Sequence, residues 1–244
     1  MTNTHRRQIA LITGASKGLG YTLGQFLASQ GYRLIITARD AALLNQAAQT
    51  FTSAGAEVKA IAGDVADPAH RQQVVQAALT WGGLDLLVNN ASTLGPLPMP
   101  ALVDYAPQSL TETFNINAVA PVALVQALHP LLKSSGGLVV NITSDAAIGG
   151  YEGWGGYGAS KAALELISLT LANELRADGI GVVIVDPGDM RTDMHQDAFP
   201  GEDISDRPLP DVTLPFWAWL LGQAPLAVSG QRYQAQADLW EIAT

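Results

Sequence analysis

Short apolar runs alternate with amphipathic, helix-like segments along almost the whole chain. The runs carry apolar residues on consecutive positions, which indicates strands covered on both faces. The predicted strands are 8–13, 33–38, 57–62, 84–88, 137–142 and 181–185. The predicted helices are 19–30, 41–53, 68–81, most of 107–134, and 157–177. This order predicts an α/β fold: a doubly wound Rossmann-type sheet of about seven mostly parallel strands with helices on both faces.

One segment, 188–210, interrupts this alternation. It holds prolines at 200, 208 and 210, and six acidic residues against two arginines. A loop this long inside a compact domain is usually functional, so we predict a mobile substrate lid. No linker or change of composition divides the chain, and residues 1–244 are predicted to form a single dinucleotide-binding domain.

The charge and cysteine content exclude several function classes. A net charge of −9 disfavours binding to nucleic acid. The absence of cysteine excludes disulfides and thiol nucleophiles, and the four histidines lack metal-ligand spacing, so no metal site is expected. No apolar stretch approaches the ~18 residues that cross a bilayer. We therefore expect a cytoplasmic protein that binds neither nucleic acid nor a membrane.

A glycine-rich turn, TGASKGLG at 13–20, follows the first predicted strand and opens the first predicted helix. Glycines allow the backbone to approach a pyrophosphate, and a helix N-terminus favours its charge. The spacing is T-G-x3-G-x-G rather than G-x-G-x-x-G. The predicted dinucleotide contacts here are Gly14, Ser16, Lys17, Gly18, Leu19 and Gly20.

The end of the second strand distinguishes between the two nicotinamide dinucleotides. Folds that prefer NAD place a carboxylate there for the ribose 2′-hydroxyl. This chain has Ala38 and then Arg39, with Lys17 able to face the same pocket. Two cations favour a 2′-phosphate, hence NADP(H). Asp40 competes for the ribose, but its position suits a helix N-cap better.

Polar residues also end the third and fourth strands. Asp64, followed by Val65, is placed to accept from an adenine amino group, or alternatively to cap the helix that begins at Pro68. Asn90 and Ala91 lie where the nicotinamide is expected, or alternatively form a hydrogen-bonded turn.

Tyr157 and Lys161 carry the chemistry that this chain offers. Four residues apart on a helix, they lie on one face about one turn from each other. An ammonium within roughly 4–6 Å lowers the pKa of a phenol, which makes it a proton donor or acceptor near neutrality. Ser144 precedes Tyr157 by thirteen residues.

Together these motifs resemble the short-chain dehydrogenase/reductase family, in its single-domain branch. The resemblance covers nearly the whole chain. The resemblance rests on the glycine turn, Asp64, Asn89-Asn90-Ala91, Asn117, Ser144, Tyr157, Lys161, Pro187, Gly188 and Thr192.

The resemblance implies a role for each catalytic candidate. Tyr157 would be the acid/base, Lys161 would lower its pKa and bind the nicotinamide ribose, and Ser144 would hold the substrate oxygen. Asn117 would bend its helix and support a water linking Lys161 to solvent; Asn115 is a competing candidate two positions earlier. Thr192, after Pro187 and Gly188, would contact the nicotinamide carboxamide, or alternatively cap a lid helix.

The resemblance also implies substrate and partners. The expected activity is NADP(H)-dependent hydride transfer to or from a small carbonyl or secondary alcohol. The walls of the pocket would be 92–97, 145–154 and the lid, whose apolar face holds Met190, Met194 and Phe199. The predicted helix 157–177 is apolar almost all round, which predicts a homodimer or homotetramer.

Two other function classes compete with this one. A non-catalytic NADP(H)-sensing module would not need a tuned phenol. A sugar-nucleotide epimerase or dehydratase would need a larger C-terminal substrate domain. The tail departs from the family pattern, with Gln-Ala-Gln-Ala at 234–237 in place of Asp-Gly-Gly, so its packing is not predicted.

Overall fold

A computed structural model describes residues 7–242. Within them lies one seven-stranded sheet in the order β3-β2-β1-β4-β5-β6-β7, in which all six pairings are parallel. The strands are β1 Ile9–Thr13, β2 Arg33–Ala38, β3 Val58–Ala62, β4 Leu86–Asn89, β5 Leu138–Ile142, β6 Gly181–Asp186 and β7 Arg232–Gln234. The predicted doubly wound α/β fold is confirmed.

Ten α-helices accompany the sheet in the described part of the chain. They are α1 Gly18–Ser29, α2 Ala41–Ser53, α3 Pro68–Leu79, α4 Pro107–Phe114, α5 Ala120–Ser135, α6 Ala146–Gly149, α7 Gly155–Glu174, α8 Asp193–Ala198, α9 Leu214–Leu221 and α10 Pro225–Val228. One hydrophobic core lies on each face of the sheet, because consecutive strand residues point to opposite faces. In β1, for example, Ala10 and Ile12 belong to one core and Ile9 and Leu11 to the other.

The longest predicted helix differs from expectation in two ways. It is interrupted between α4 and α5 by a π-helical turn, Asn115–Val119. The continuous helical stretch Pro107–Ser135 is also long and apolar enough, by length and composition, to cross a bilayer, so the statement that no stretch approaches this length is wrong. Half of its most apolar window is buried in the protein, where Leu124, Leu128 and Leu132 join the core.

The predicted lid segment contains a helix of its own, α8. A backbone hydrogen bond connects the segments before and after α8: the N–H of Arg191 donates to the carbonyl of Pro208 (2.8 Å). Ile204 is buried beyond it. The break in the strand–helix alternation is confirmed, and the mobility of the segment remains a prediction.

Candidate active site

The glycine turn has a backbone that only glycines allow. Gly14 and Gly18 adopt positive φ values of 67° and 57°. A Cβ on Gly20 would lie 2.3 Å from the carbonyl oxygen of Gly14, so even alanine would collide there. The first turn of α1 has no side-chain cap and no acidic residue. Its N–H groups are therefore available to an anion such as a pyrophosphate.

The end of β4 holds this turn in place. The side-chain amide of Asn90 donates to the carbonyls of Thr13 (2.9 Å) and Gly14 (3.1 Å). The hydroxyl of Thr13 accepts from the backbone N–H groups of Asn90 and Ala91. Asn90 and Ala91 thus form the hydrogen-bonded turn that was one of their two predicted roles, and they also border the cleft described next.

A single cleft of about 500 Å³ brings most of the predicted site residues together. Of the residues predicted to contact the dinucleotide, Gly20 alone does not line it, because Gly20 lies beneath the turn. Those that line it are Gly14, Ser16, Lys17, Gly18, Leu19, Arg39, Asp64, Val65, Asn90, Ala91, Tyr157, Lys161, Pro187, Gly188 and Thr192. Ser144 lines it as well.

Two carboxylates after the strands have separate structural roles. Asp40 caps α2, accepting from the N–H groups of Ala42 and Leu43, as predicted. Asp64 does not cap α3; the cap is Asp67, and Asp64 accepts instead from the N–H of Ala66 (2.8 Å). The capping alternative for Asp64 is therefore wrong, which leaves Asp64 as a carboxylate on the wall of the cleft.

The two predicted cations differ in their surroundings. Lys17 donates to Asp193 at the start of α8 (2.6 Å), an exposed ion pair across the mouth of the cleft. Arg39 is exposed on the cleft wall and has no salt-bridge partner among residues 7–242. Arg39 is therefore the cation that is free to bind an anion here.

Tyr157 and Lys161 lie on one buried face of α7, as their spacing predicts. Their exposures are 7% and 2%. The ammonium of Lys161 donates to the carbonyl of Ile142 at the end of β5 (2.8 Å), and its Nζ lies 5.6 Å from the centroid of the Tyr157 ring. This contact fixes α7 against the edge of the sheet.

Burial dominates the pKa of Tyr157 in this structure. The pKa is raised to about 12, mainly by desolvation and also by the charges of Asp186 and Asp145, while the hydroxyls of Ser144 and Ser92 act in the opposite direction. Desolvation also lowers the pKa of Lys161 to about 8. Burial therefore favours the neutral form of both groups, and the effect of Lys161 on the pKa of Tyr157 remains a prediction.

Ser144 lies directly after β5, beside the tyrosine. Its hydroxyl donates to Asp145 (2.9 Å) and accepts from the N–H of Ala146 (3.1 Å). Ser144 and Tyr157 both line the cleft, and the Ser144 hydroxyl acts to lower the pKa of the phenol. The pairing of these two residues in the reaction remains a prediction.

Asn117 occupies the π-helical turn and is buried, whereas Asn115 is exposed. The side-chain oxygen of Asn117 accepts from the N–H of Thr93 (2.9 Å) and from the hydroxyl of Ser92. Its amide donates to Ser160, whose hydroxyl donates in turn to the carbonyl of Tyr157. The helix departs locally from α-helical geometry at Asn117, and Asn117 is joined to α7 through Ser160.

The segment after β6 meets both the glycine turn and the tail. Thr192 caps α8 by accepting from the N–H of His195, the alternative foreseen for it, and its side chain faces Gly18. The side-chain amide of Gln236 donates to the carbonyls of Pro187 and Asp189, both at 2.9 Å. The atypical tail therefore packs on the start of the predicted lid.

The outer part of the cleft is apolar. Trp154 lies edge-on to Tyr157, with ring centroids 5.8 Å apart, and stacks at a tilt on Phe199 at 5.7 Å. Leu94 and Met194 complete this cluster around Tyr157. Of the predicted apolar face of the lid, Met194 and Met190 line the cleft, Met190 also packs on the main core, and Phe199 does not line the cleft.

Sequence reasoning missed several residues around the site. Ser92 was predicted only as part of a wall of the pocket. No role was predicted for Ser160, which lies between Tyr157 and Lys161. Glu165, Asp186 and Arg232 form a charged network behind Ser144. No sequence signal joins these three, because they come from separate elements that only the sheet brings together.

Comparisons with known proteins agree with this geometry. A sequence model of the family described as short chain dehydrogenase matches residues 8–203. The chain is 32% identical, over 94% of its length and 92% of the relative's, to YciK of Escherichia coli, described as an uncharacterized oxidoreductase. It is 32% identical, over 76% and 72% of the two lengths, to a diacetyl reductase [(S)-acetoin forming] of Staphylococcus epidermidis.

A solved structure shows the same fold. A short chain dehydrogenase from Shigella flexneri, complexed with NADP, superposes with a TM-score of 0.87. The two chains are 31% identical, and the match covers 94% of this chain and 97% of that one.

The burial of Lys161 predicts a pH dependence of stability. A lysine in an unfolded chain titrates near ~10.4, whereas the pKa of Lys161 is lowered to about 8. Between these values the unfolded chain binds more protons, so stability rises with pH. From about pH 8 to 10 we expect the free energy of unfolding to rise by about 2 kcal/mol relative to Lys161→Met, measured by urea denaturation.

The control for this measurement is Lys133→Met, which removes an exposed lysine of α5. It should keep the pH dependence of the unmodified protein. A Lys161→Met variant that also kept that dependence would contradict the assignment.

Proposed function

This chain belongs to the short-chain dehydrogenase family, and we propose that it is an NADP(H)-dependent oxidoreductase. It would transfer a hydride between the nicotinamide and a small carbonyl or secondary alcohol. The observation that carries the proposal is the convergence of Tyr157, Ser144 and Lys161 on the wall of one cleft that also contains the glycine turn. A purely structural tyrosine would not need a buried ammonium one turn away.

The residues of the cleft fit a dinucleotide. A Cβ at Gly20 would destroy the turn, and the uncapped start of α1 offers N–H groups to a pyrophosphate. Gly14, Ser16, Gly18 and Leu19 would hold the pyrophosphate. Asp64 and Val65 would hold the adenine, while Asn90, Ala91, Pro187, Gly188 and Thr192 would border the nicotinamide half.

The 2′-phosphate would be bound by Arg39, with Lys17 as a second cation once it leaves Asp193. A guanidinium matches a phosphate in geometry and charge, and the carboxylate at this strand end, Asp40, is engaged in capping α2. The NADP complex of the Shigella relative supports the same choice.

Tyr157 would donate its proton to the carbonyl oxygen during reduction and accept one from the alcohol during oxidation. With its pKa raised to about 12 the phenol keeps its proton at neutral pH, the form that a carbonyl oxygen requires. The bound nicotinamide supplies the hydride chemistry.

Three further side chains would assist Tyr157. Ser144 would hold the substrate oxygen beside the phenol. Lys161 would bind the ribose and stabilise the phenolate, and Asn117 would support a water linking Lys161 to solvent.

The substrate proposed is a small, largely nonpolar carbonyl compound or secondary alcohol. Trp154, Leu94 and Met194 offer apolar contacts beside Tyr157, and Phe199 supports Trp154 from behind. Acidic side chains in the segment 188–210 disfavour an anionic substrate. The diacetyl reductase relative supports including diketones when NADPH oxidation is screened against aldehydes, ketones, quinones and keto-sugars.

The alternative is a sensor that binds NADP(H) without turnover. It would use the glycine turn and Arg39 alone. The presence of Ser144, Tyr157 and Lys161 in one cleft favours the enzyme, because a sensor gains nothing from a hydroxyl and an ammonium beside a phenol.

Replacing Tyr157 by phenylalanine tests the proposed oxidoreductase activity. We expect kcat to fall by about 10²–10⁴-fold because the proton donor is lost, with the Kd for NADPH, measured by fluorescence titration, changing less than about threefold. Tyr32→Phe, which changes a buried tyrosine before β2 that does not line the cleft, is the control and should remain active. Full activity of Tyr157→Phe would refute the mechanism.

Replacing Arg39 by alanine tests the cofactor preference. Losing a charge-assisted contact should raise the Kd for NADPH by about 10- to 100-fold and leave that for NADH nearly unchanged. Arg176→Ala, an exposed arginine after α7, is the control. Unchanged selectivity between the two dinucleotides in Arg39→Ala would show that Arg39 does not bind the 2′-phosphate.

We also propose a cytoplasmic homodimer or homotetramer that binds neither nucleic acid nor membrane. On the outer face of α7, Leu166 and Leu169 are 66% and 41% exposed, and Val119 on the π-helical turn is 52% exposed. Apolar side chains on neighbouring helices favour burial by a second copy.

Sedimentation tests the assembly. The unmodified protein at micromolar concentration should sediment as a dimer or tetramer, and Leu166→Asp should shift it toward monomer because a charge would be buried at the interface. Leu79→Asp, 49% exposed on α3, is the control. A monomeric unmodified protein would contradict the assembly.

A further inference from the structure

Arg232, the first residue of the edge strand β7, makes three polar contacts behind the site. Its Nε donates to Glu165 (2.9 Å), and one terminal nitrogen donates to Asp186 (3.1 Å) and to the backbone carbonyl of Ser144 (3.3 Å). The side chain is 24% exposed, while those of Glu165 and Asp186 are 14% and 6% exposed. This is a largely buried network rather than a surface ion pair.

Each acceptor belongs to a different element of the site. Ser144 follows β5 and carries the hydroxyl beside Tyr157. Glu165 lies one helical turn beyond Lys161 on α7, and its Oε1 also accepts from the hydroxyl of Thr143 (2.7 Å). Asp186 ends β6, and its other oxygen accepts from the N–H of Gly188 (3.0 Å). One guanidinium therefore connects the three segments whose relative placement the reaction needs.

The same network sets part of the charge around Tyr157. Asp186 from β6 and Asp145 from the segment after β5 both raise its pKa, while Lys161 on α7 faces its ring. Buried carboxylates are costly unless a cation compensates them. Arg232 supplies that cation to Asp186 and Glu165.

We propose that Arg232 is a positioning residue for the hydride-transfer reaction, one that holds Ser144, α7 and the segment after β6 in register and offsets the charge of Asp186 beside Tyr157. This inference rests on the proposed function. It assigns a catalytic consequence to the last strand, which contributes no group to the reacting atoms.

The test compares Arg232→Met with Arg33→Met. Arg33 is a matched control: it also begins a strand, its side chain is 22% exposed, and it forms two hydrogen bonds to Glu57, both at 2.8 Å, far from Ser144 in the sheet order. Arg232→Met should lower kcat by about 10- to 100-fold, since small displacements of reacting groups are costly. The Kd for NADPH should stay within about threefold. Arg33→Met should keep its kcat.

The pH dependence of kcat separates positioning from simple stability. Without the guanidinium, the negative charge of Asp186 is uncompensated, so the apparent pKa assigned to Tyr157 should rise by about half a unit or more. Asp186→Asn removes that charge and should therefore lower the apparent pKa assigned to Tyr157. Arg232→Lys restores the charge without the planar fork, so it should return the profile toward that of the unmodified protein and recover part of kcat.

Two results would overturn the inference. One is an Arg232→Met enzyme with unchanged kcat and pH profile; the other is a loss of activity that Arg33→Met shares at equal loss of stability. If Arg232→Met does not fold, the kcat and pH profile of Arg232→Lys are compared in its place with those of the unmodified protein and of Arg33→Met. An active unmodified enzyme beside a fully active Arg232→Met refutes only this inference, whereas an unmodified protein without turnover refutes the proposed function.

A crystal structure of the variant decides the positioning role without any substrate. In Arg232→Met the Ser144 carbonyl and the Gly188 segment should shift relative to Tyr157, and in Arg33→Met they should not. Unmoved groups in Arg232→Met would contradict the inference.

Discussion

Parallel strand pairing is the constraint on which the rest of the structure depends. Because all six pairings are parallel, the carboxyl ends of β1, β4, β5 and β6 meet at one edge of the sheet. Residues that are distant in the chain become neighbours there: the glycine turn after β1, Asn90 after β4, Ser144 after β5 and Pro187 after β6. The cleft is the consequence of this shared edge, and α7 closes it from the side.

Burial gives the site its electrostatic character. Tyr157 and Lys161 are both removed from water, and desolvation raises the pKa of the phenol while it lowers that of the ammonium. Both shifts favour the neutral form of each group. The carbonyl of Ile142 accepts a hydrogen bond from the ammonium of Lys161. The electrostatics of this cleft therefore depend on neighbouring dipoles and on nearby charges such as Asp186.

The local pattern of the sequence predicted most elements and most residues of the cleft. Continuous apolar runs identify strands buried on both faces, and glycines with positive φ mark the turn, because both signals arise within a few residues. The distinction between Asp64 and Asp67 as the cap of α3 was missed, since both precede Pro68 and only the backbone geometry selects one. The π-helical turn at Asn117 was not predicted as such, because only the backbone hydrogen bonds of the folded chain distinguish it from an α-helix.

The sequence by itself determined the order of strands and helices, the glycine turn, and the spacing of Tyr157 and Lys161, because these follow from side-chain periodicity and local backbone freedom. Only the tertiary structure decided that burial raises the pKa of Tyr157, that Lys17 pairs with Asp193, and that Arg232 joins Ser144, Glu165 and Asp186. Desolvation and charge pairing depend on which distant segments come together in the fold. The positions of residues along the chain do not show which segments these are.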